Sequence, residues 1–266
     1  MTYFGFLLRF VVVPIAVLLG VALWDRRQGR RRAASLRSWP VWAAIGLHMV
    51  VALLYTTPWD NYLVATRVWW YDPALVSGIV IGWVPVEEYT FFLLQPVLTG
   101  LWIVFLARRL ALPAGPVPSS QRFMRVWLPA ILGIVWLAAI AALLAGLEPA
   151  TYLSLTLLWA MPPIALQLAF GADILWHYRR LVLLALVPAT LYLSATDALA
   201  IGRWGTWTID PAQSLHVLLG GMLPVEEFVF FLLTSTLLTL GIVLVWAEPS
   251  HRRLAETKSI QLKAKS

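Results

Sequence analysis

Seven apolar runs, at about residues 3–24, 40–57, 75–106, 126–146, 152–176, 181–197 and 215–247, occupy most of this 266-residue chain. A helix needs roughly 20 consecutive apolar residues to cross a hydrocarbon core. Backbone in contact with lipid must also satisfy its own hydrogen bonds, which makes helices the natural solution for such runs. The composition agrees, with 61% of residues hydrophobic and 12% charged, against about 25% charged in soluble domains. The expected fold class is all-α: a polytopic membrane protein with about seven transmembrane helices in a lipid bilayer.

Charge sets the orientation. The stretch DRRQGRRRAASLR follows the first run and is expected on the cytoplasmic side. Counting alternately from there places segments 25–39, 107–125, 177–180 and 248–266 on that side. They hold 17 of the 20 Lys and Arg residues, the exceptions being Arg9, Arg67 and Arg203. The expected protein therefore has its N-terminus outside and its C-terminus in the cytoplasm, in the cell membrane. The first run lacks a basic start, and arginines follow it where a signal peptide would carry small residues. In such a chain the formal charge of +7 reads as topology, not as affinity for nucleic acid.

The chain repeats itself. YTTPWDNYLVATRVWWYDP from Tyr55 matches YLSATDALAIGRWGTWTIDP from Tyr192, with one residue inserted. YFGFLLRFVVVPI from Tyr3 echoes YLSLTLLWAMPPI from Tyr152, and GWVPVEEYTFFLL is answered by GMLPVEEFVFFLL. Spans 1–3 thus recur as spans 5–7, with span 4 left over. Three spans alone would invert the second copy. One extra span restores its direction, so the copies are expected to run parallel about an axis near the membrane normal. The expected organisation is a first repeat at 1–107, a linker and fourth span at 108–150, a second repeat at 151–247 and a basic tail at 248–266.

The repeated motif carries the chemistry. An ionisable side chain within a membrane span is costly and usually faces the bundle interior. Glu87 and Glu226 fall about a dozen residues into their runs, on the order of 18 Å of helix, with Pro85 and Pro224 read as kink sites. Adjacent helical residues point about 100° apart, so one glutamate of each pair is expected to line a cavity while its neighbour bonds to another helix. Arg9 is the one basic residue well inside a run. Four carboxyls, Glu87, Glu88, Glu226 and Glu227, cannot all ionise in that setting, and desolvation and mutual repulsion favour some of them as neutral acids. Phe91 and Phe92 follow four residues after the first pair, and Phe230 and Phe231 after the second, each ring sharing a helix face with a carboxyl. Aromatic faces attract cations. An acid beside such rings suits protonation of an alkene and shielding of the carbocation.

Simpler readings exist for these residues. Paired phenylalanines can be packing, and buried glutamates can join helices by hydrogen bonds. Asp60 and Asp197 match across the repeat and read either as supports behind the catalytic groups or as helix-end caps. Trp59, Trp69, Trp70, Trp204 and Trp207 read as interface anchors. With no cysteine in the chain, thiolate chemistry is excluded. His48 and His216 are isolated, so no metal site is expected. No G-x-G-x-x-G, phosphate loop or D-x-x-x-D cluster appears, so neither a nucleotide cofactor nor Mg²⁺-diphosphate chemistry is expected.

Two three-span copies carrying PVEEYTFFLLQ and PVEEFVFFLL resemble the integral-membrane lycopene cyclases, which occur as heterodimers or as one fused chain. The likeness covers nearly the whole sequence, with 1–107 similar to one subunit, 151–247 to the other and span 4 as the fusion. The resemblance implies a carotenoid substrate, lycopene, converted to β-carotene through γ-carotene without a flavin or other cofactor. It implies catalytic roles for Glu87, Glu88, Glu226 and Glu227, with Gln95 as a possible supporting residue. The second copy departs from the first in placing Thr234 where Gln95 stands. A carotenoid hydratase, a cyclase making ε- or γ-rings or acting on C50 carotenoids, and a proton-coupled transporter are the alternatives. The oligomeric state is left open. The topology has a direct test: a reporter fused after Ser266 should read cytoplasmic and one inserted near Ala65 external, and finding both on one side would refute the span count.

Overall fold

The structure, a computed structural model, describes residues 1–113 and 115–263. Seven helices are long and apolar enough to cross a membrane among the described residues. They are α1 (Tyr3–Arg27, with a π-helical turn at Leu8–Val12), α2 (Val41–Ala65), α3 (Val86–Ala107), α4 (Met124–Leu144), α5 (Thr151–His177), α6 (Arg179–Leu199) and α7 (Val225–Trp246). A π-helical turn, Ala200–Trp204, extends α6, and α8 (Glu248–Lys263) closes the described chain. Among the described residues six short strands lie between the helices: β1 (Trp69–Tyr71), β2 (Val80–Ile81), β3 (Val84–Pro85), β4 (Trp207–Ile209), β5 (Leu218–Leu219) and β6 (Leu223–Pro224).

α3 and α7 form the centre. In each, 67% of the most apolar window is buried, against 6% for the span containing α4. α4, the helix without a repeat partner, lies at the periphery along α5. Close approach to the centre requires small residues. A Cβ at Gly241 of α7 would lie 2.3 Å from Nε2 of His48 on α2.

Both central helices start later than their apolar runs. Runs 75–106 and 215–247 are each split into a hairpin and a helix, not one long span. Pro85 and Pro224 are the N-caps of α3 and α7, so they set helix starts and do not kink a helix. A residue preceding proline is pushed out of the α region, while glutamates in a first turn favour a helix start. The glutamates therefore stand at helix N-termini and not a dozen residues deep. The preceding residues fold as β2–β3 and β5–β6. Their exposed Ile79, Ile81, Trp83, Leu218 and Met222 form apolar tips suited to a lipid interface.

The two repeats meet about a pseudo-twofold axis. β1 pairs antiparallel with β4 in the register Trp69↔Ile209, Trp70↔Thr208, Tyr71↔Trp207. Because the repeat equates Trp69 with Trp207 and Trp70 with Thr208, this is the register that a twofold through the middle pair requires. Flanking bonds obey the same rule: the N–H of Asp72 donates to Thr206 O (3.1 Å) and that of Asp210 to Val68 O (2.8 Å). α3 and α7 both begin beneath this ribbon, so the copies run parallel.

The opposite end of the bundle collects the basic segments. Arg109 holds buried Asp25 through two hydrogen bonds of 2.7 and 2.8 Å. Arg253 holds Asp173 at 2.6 and 3.1 Å. Arg9 lies exposed on the outside of α1 and offers no counter-charge to the interior.

The β2–β3 hairpin is tied to α2 through Asn61, which accepts from the N–H of Trp83 at 2.8 Å and donates to the Tyr89 hydroxyl at 2.9 Å. Gly82 turns at φ 66°, and a Cβ there would lie 2.2 Å from Asn61 Oδ1. Gly82→Val is therefore expected to cost about 1–3 kcal/mol, read as a lowered thermal midpoint in detergent. An unchanged midpoint would show that Asn61 does not anchor the turn.

Candidate active site

Under the β1–β4 ribbon lies a narrow cavity of about 50 Å³, room for roughly three or four waters. Both repeats contribute. Asp60, Glu88, Phe91 and Phe92 line it from the first, and Asp197, Glu227, Phe230 and Phe231 from the second. The two sequence positions of each motif separate as their 100° offset demands. Glu88 and Glu227 face the cavity. Glu87 and Glu226 turn away, and each bonds its own preceding loop instead of another helix. Glu87 accepts the Ser77 N–H (2.6 Å) and hydroxyl (3.2 Å), and Glu226 accepts the Leu215 N–H (2.6 Å). These carboxyls hold the hairpins over the starts of α3 and α7.

Tyrosines, which the motif did not flag, complete the site. Tyr3 and Tyr71 both donate to Oε2 of Glu88, the latter at 3.0 Å, and Tyr152 donates to Glu227 at 2.7 Å. Such bonds to an ionised group contribute about 1.5–3 kcal/mol each. Burial raises the Tyr71 phenol well above its ordinary range, so it remains a donor. The repeat itself offered the signal, since it aligned Tyr3 with Tyr152. Tyr71 has no such partner; its counterpart is Ile209, and the site is chemically asymmetric there.

Asp60 and Asp197 are not helix-end caps. Each is 1% exposed, lies within its helix and borders the cavity. Asp197 accepts the Trp207 indole N–H at 3.0 Å, whereas neither oxygen of Asp60 has a hydrogen-bond partner among the described residues. Among the described residues, ion pairs of the acids involve Asp25, Asp173 and Glu248, and none reaches the cavity. Four carboxyls thus share a cation-free cavity in which they cannot all be charged. Gln95 lies two turns beyond Glu88 on α3 and donates to Thr234 at 3.1 Å. The residues that differ between the copies are therefore donor and acceptor of one bond across the axis.

The walls are aromatic. Trp59, Trp69 and Trp207 line the cavity, where the sequence suggested interface anchors. Trp59 stacks on Phe230 with centroids 5.7 Å apart and rings 9° from parallel. Phe91 meets Phe231 edge to face at 6.3 Å. Two apolar grooves approach from the bundle surface. One, about 680 Å³, runs between α2, α5 and α7 and shares Phe92 and Phe230 with the cavity. The other, about 420 Å³, runs between α1, α3 and α6 and shares Leu193. The repeat exchanges α1 with α5, α2 with α6 and α3 with α7, so the grooves are each other's counterparts.

A family profile described as lycopene cyclase matches residues 3–106 and 149–246. The chain belongs to the lycopene cyclase family. Its relatives include a lycopene beta-cyclase of Halobacterium salinarum, 37% identical over 89% of this chain and 93% of that protein. A bifunctional lycopene cyclase/phytoene synthase of Sporisorium reilianum is 36% identical over 71% of this chain and 28% of that longer protein. One of Podospora anserina is 34% identical over 74% of this chain and 34% of that protein. No solved structure is found to match. The two matched segments of the cyclase profile are the two copies that meet at the cavity, and the skipped residues contain α4.

Proposed function

We propose that this chain is a lycopene β-cyclase of the cell membrane, with its N-terminus outside and its C-terminal tail cytoplasmic. Residues 1–107 and 151–247 serve as two cyclase repeats joined by 108–150. The observation that carries this reading is the cation-free cavity in which carboxyls from both repeats face aromatic rings. A neutral carboxylic acid there adds a proton to C2 of the acyclic end group, leaving a tertiary cation at C1. The C5=C6 double bond attacks C1, forming the C1–C6 bond and a cation at C5. A cavity carboxylate removes a proton from C6, and the C5=C6 bond is restored. The reaction is an isomerisation that consumes neither oxidant nor water. One cyclised end gives γ-carotene, and two give β-carotene.

The surroundings support each step. Ring faces of Trp59, Phe91, Phe92, Phe230 and Phe231 stabilise a desolvated cation by roughly 2 kcal/mol or more. The ribbon lies over the cavity, and its aromatic lining disfavours water that would trap the cation as an alcohol. The cavity must widen to admit an end group, and the apolar groove between α2, α5 and α7 offers the remaining polyene a path from lipid.

Purified protein given lycopene in detergent, with EDTA and without flavin or nicotinamide, is expected to form β-rings. Strict dependence on any one additive would overturn the cofactor-free reading, and an alcohol carrying solvent oxygen would identify a hydratase. Glu88→Gln and Glu227→Gln keep shape but remove the titratable group. Glu88→Gln is expected to lower β-ring formation by about 10²–10⁴-fold while lycopene still binds, and Glu227→Gln by less. Near wild-type rates in both would make these glutamates structural.

A further inference from the structure

The reaction needs a neutral acid and a carboxylate in one cavity. We infer that Asp60 is the proton donor to C2 and Glu88 the base at C6, an assignment that rests on the lycopene cyclase reading above.

Hydrogen bonding distinguishes the candidates. Asp60 is 1% exposed, and both of its oxygens are buried without a partner. A carboxylate so placed would have neither donor nor counter-charge, and burying a charge that way is strongly unfavourable. The neutral acid avoids that cost and keeps its O–H unspent at the cavity wall. Glu88 is the opposite case. Two phenols, those of Tyr3 and Tyr71, donate to its Oε2, and hydrogen bonds to the charged form favour it. Oε1 accepts no bond from the described residues and remains available to take a proton.

The second repeat does not duplicate this pair. Asp197 has Oδ1 occupied by the Trp207 indole and only Oδ2 buried without a partner among the described residues. One oxygen is thus spent where Asp60 has both free, and Ile209 stands where Tyr71 would supply a second phenol. The cavity therefore holds one fully differentiated acid–base set, and the second repeat contributes mainly walls and the Tyr152–Glu227 pair. The cycle balances within the cavity. Asp60 loses its proton to C2, C1–C6 forms, and Glu88 gains the proton from C6. Proton transfer from Glu88 to Asp60, directly or through solvent, restores the starting state.

The test is turnover of purified protein with lycopene in D₂O, with deuterium located in the recovered pigments. Wild type is expected to form β-rings labelled at C2; no rings at all would refute the cyclase reading itself, not this assignment. Asp60→Asn is expected to bind lycopene, seen by its visible spectrum, yet to lose ring formation at least about 100-fold and to leave recovered lycopene unlabelled. Asp60→Glu is expected to recover part of the activity. Glu88→Gln should still deliver deuterium to C2, but with the cation quenched as another ring isomer or as an alcohol. Three results would overturn the assignment with cyclisation intact in wild type: Asp60→Asn cyclising within tenfold of wild type, Asp60→Asn failing to fold or bind lycopene, or label lost in Glu88→Gln but kept in Asp60→Asn.

Discussion

Carboxyl groups buried without a cation are the constraint around which this structure is arranged. An isolated buried charge is among the most expensive things a protein can contain, and here four carboxyls border one cavity. Neutralising them with the chain's arginines would remove the acid–base chemistry. The fold keeps most of those arginines at the far end, where Arg109 and Arg253 clamp Asp25 and Asp173, and none of them lines the cavity. Phenol and indole donors reach Glu88, Glu227 and Asp197 instead, while Asp60 has none among the described residues. The result is an interior of carboxyl groups in unlike hydrogen-bonding settings, surrounded by aromatic rings.

Duplication gives that interior its geometry. Two copies of a three-helix unit bring two PVEE helix starts together under a ribbon made of one strand from each copy. A helix N-terminus carries unsatisfied N–H groups and partial positive charge, so a first-turn glutamate is stabilised without any basic side chain. The motif thus does two jobs. Its first glutamate ties down the loop above the helix, and its second faces the reaction space. Exact symmetry would yield two identical half-sites. The substitutions Tyr71/Ile209 and Gln95/Thr234 break it, and with it the equivalence of the carboxyls.

The two grooves extend the same symmetry to the membrane-facing surface. A carotenoid is dissolved in lipid, so access between helices serves it better than a path from water. Apolar hairpin tips stand at the cavity end of the bundle, and the Arg–Asp clamps at the other.

Span number, the side that gathers the basic segments and the internal repeat were legible in the sequence because hydropathy and charge are local properties. So were Glu88, Glu227 and the four phenylalanines as candidates, since helical spacing places them on common faces. The starts of α3 and α7 were also written there, in proline followed by two glutamates, but the continuous apolar run concealed them: a buried or lipid-facing hairpin is as hydrophobic as a helix. Tertiary structure alone decided which glutamate of each pair faces the cavity, and that Tyr3, Tyr71 and Trp59 join it from distant segments. It alone showed that Asp60 lacks any partner while Asp197 has one. Those outcomes depend on which groups from separate helices come within about 3 Å of one another, a distance at which hydrogen bonds form or fail and about which periodicity along a single helix says nothing.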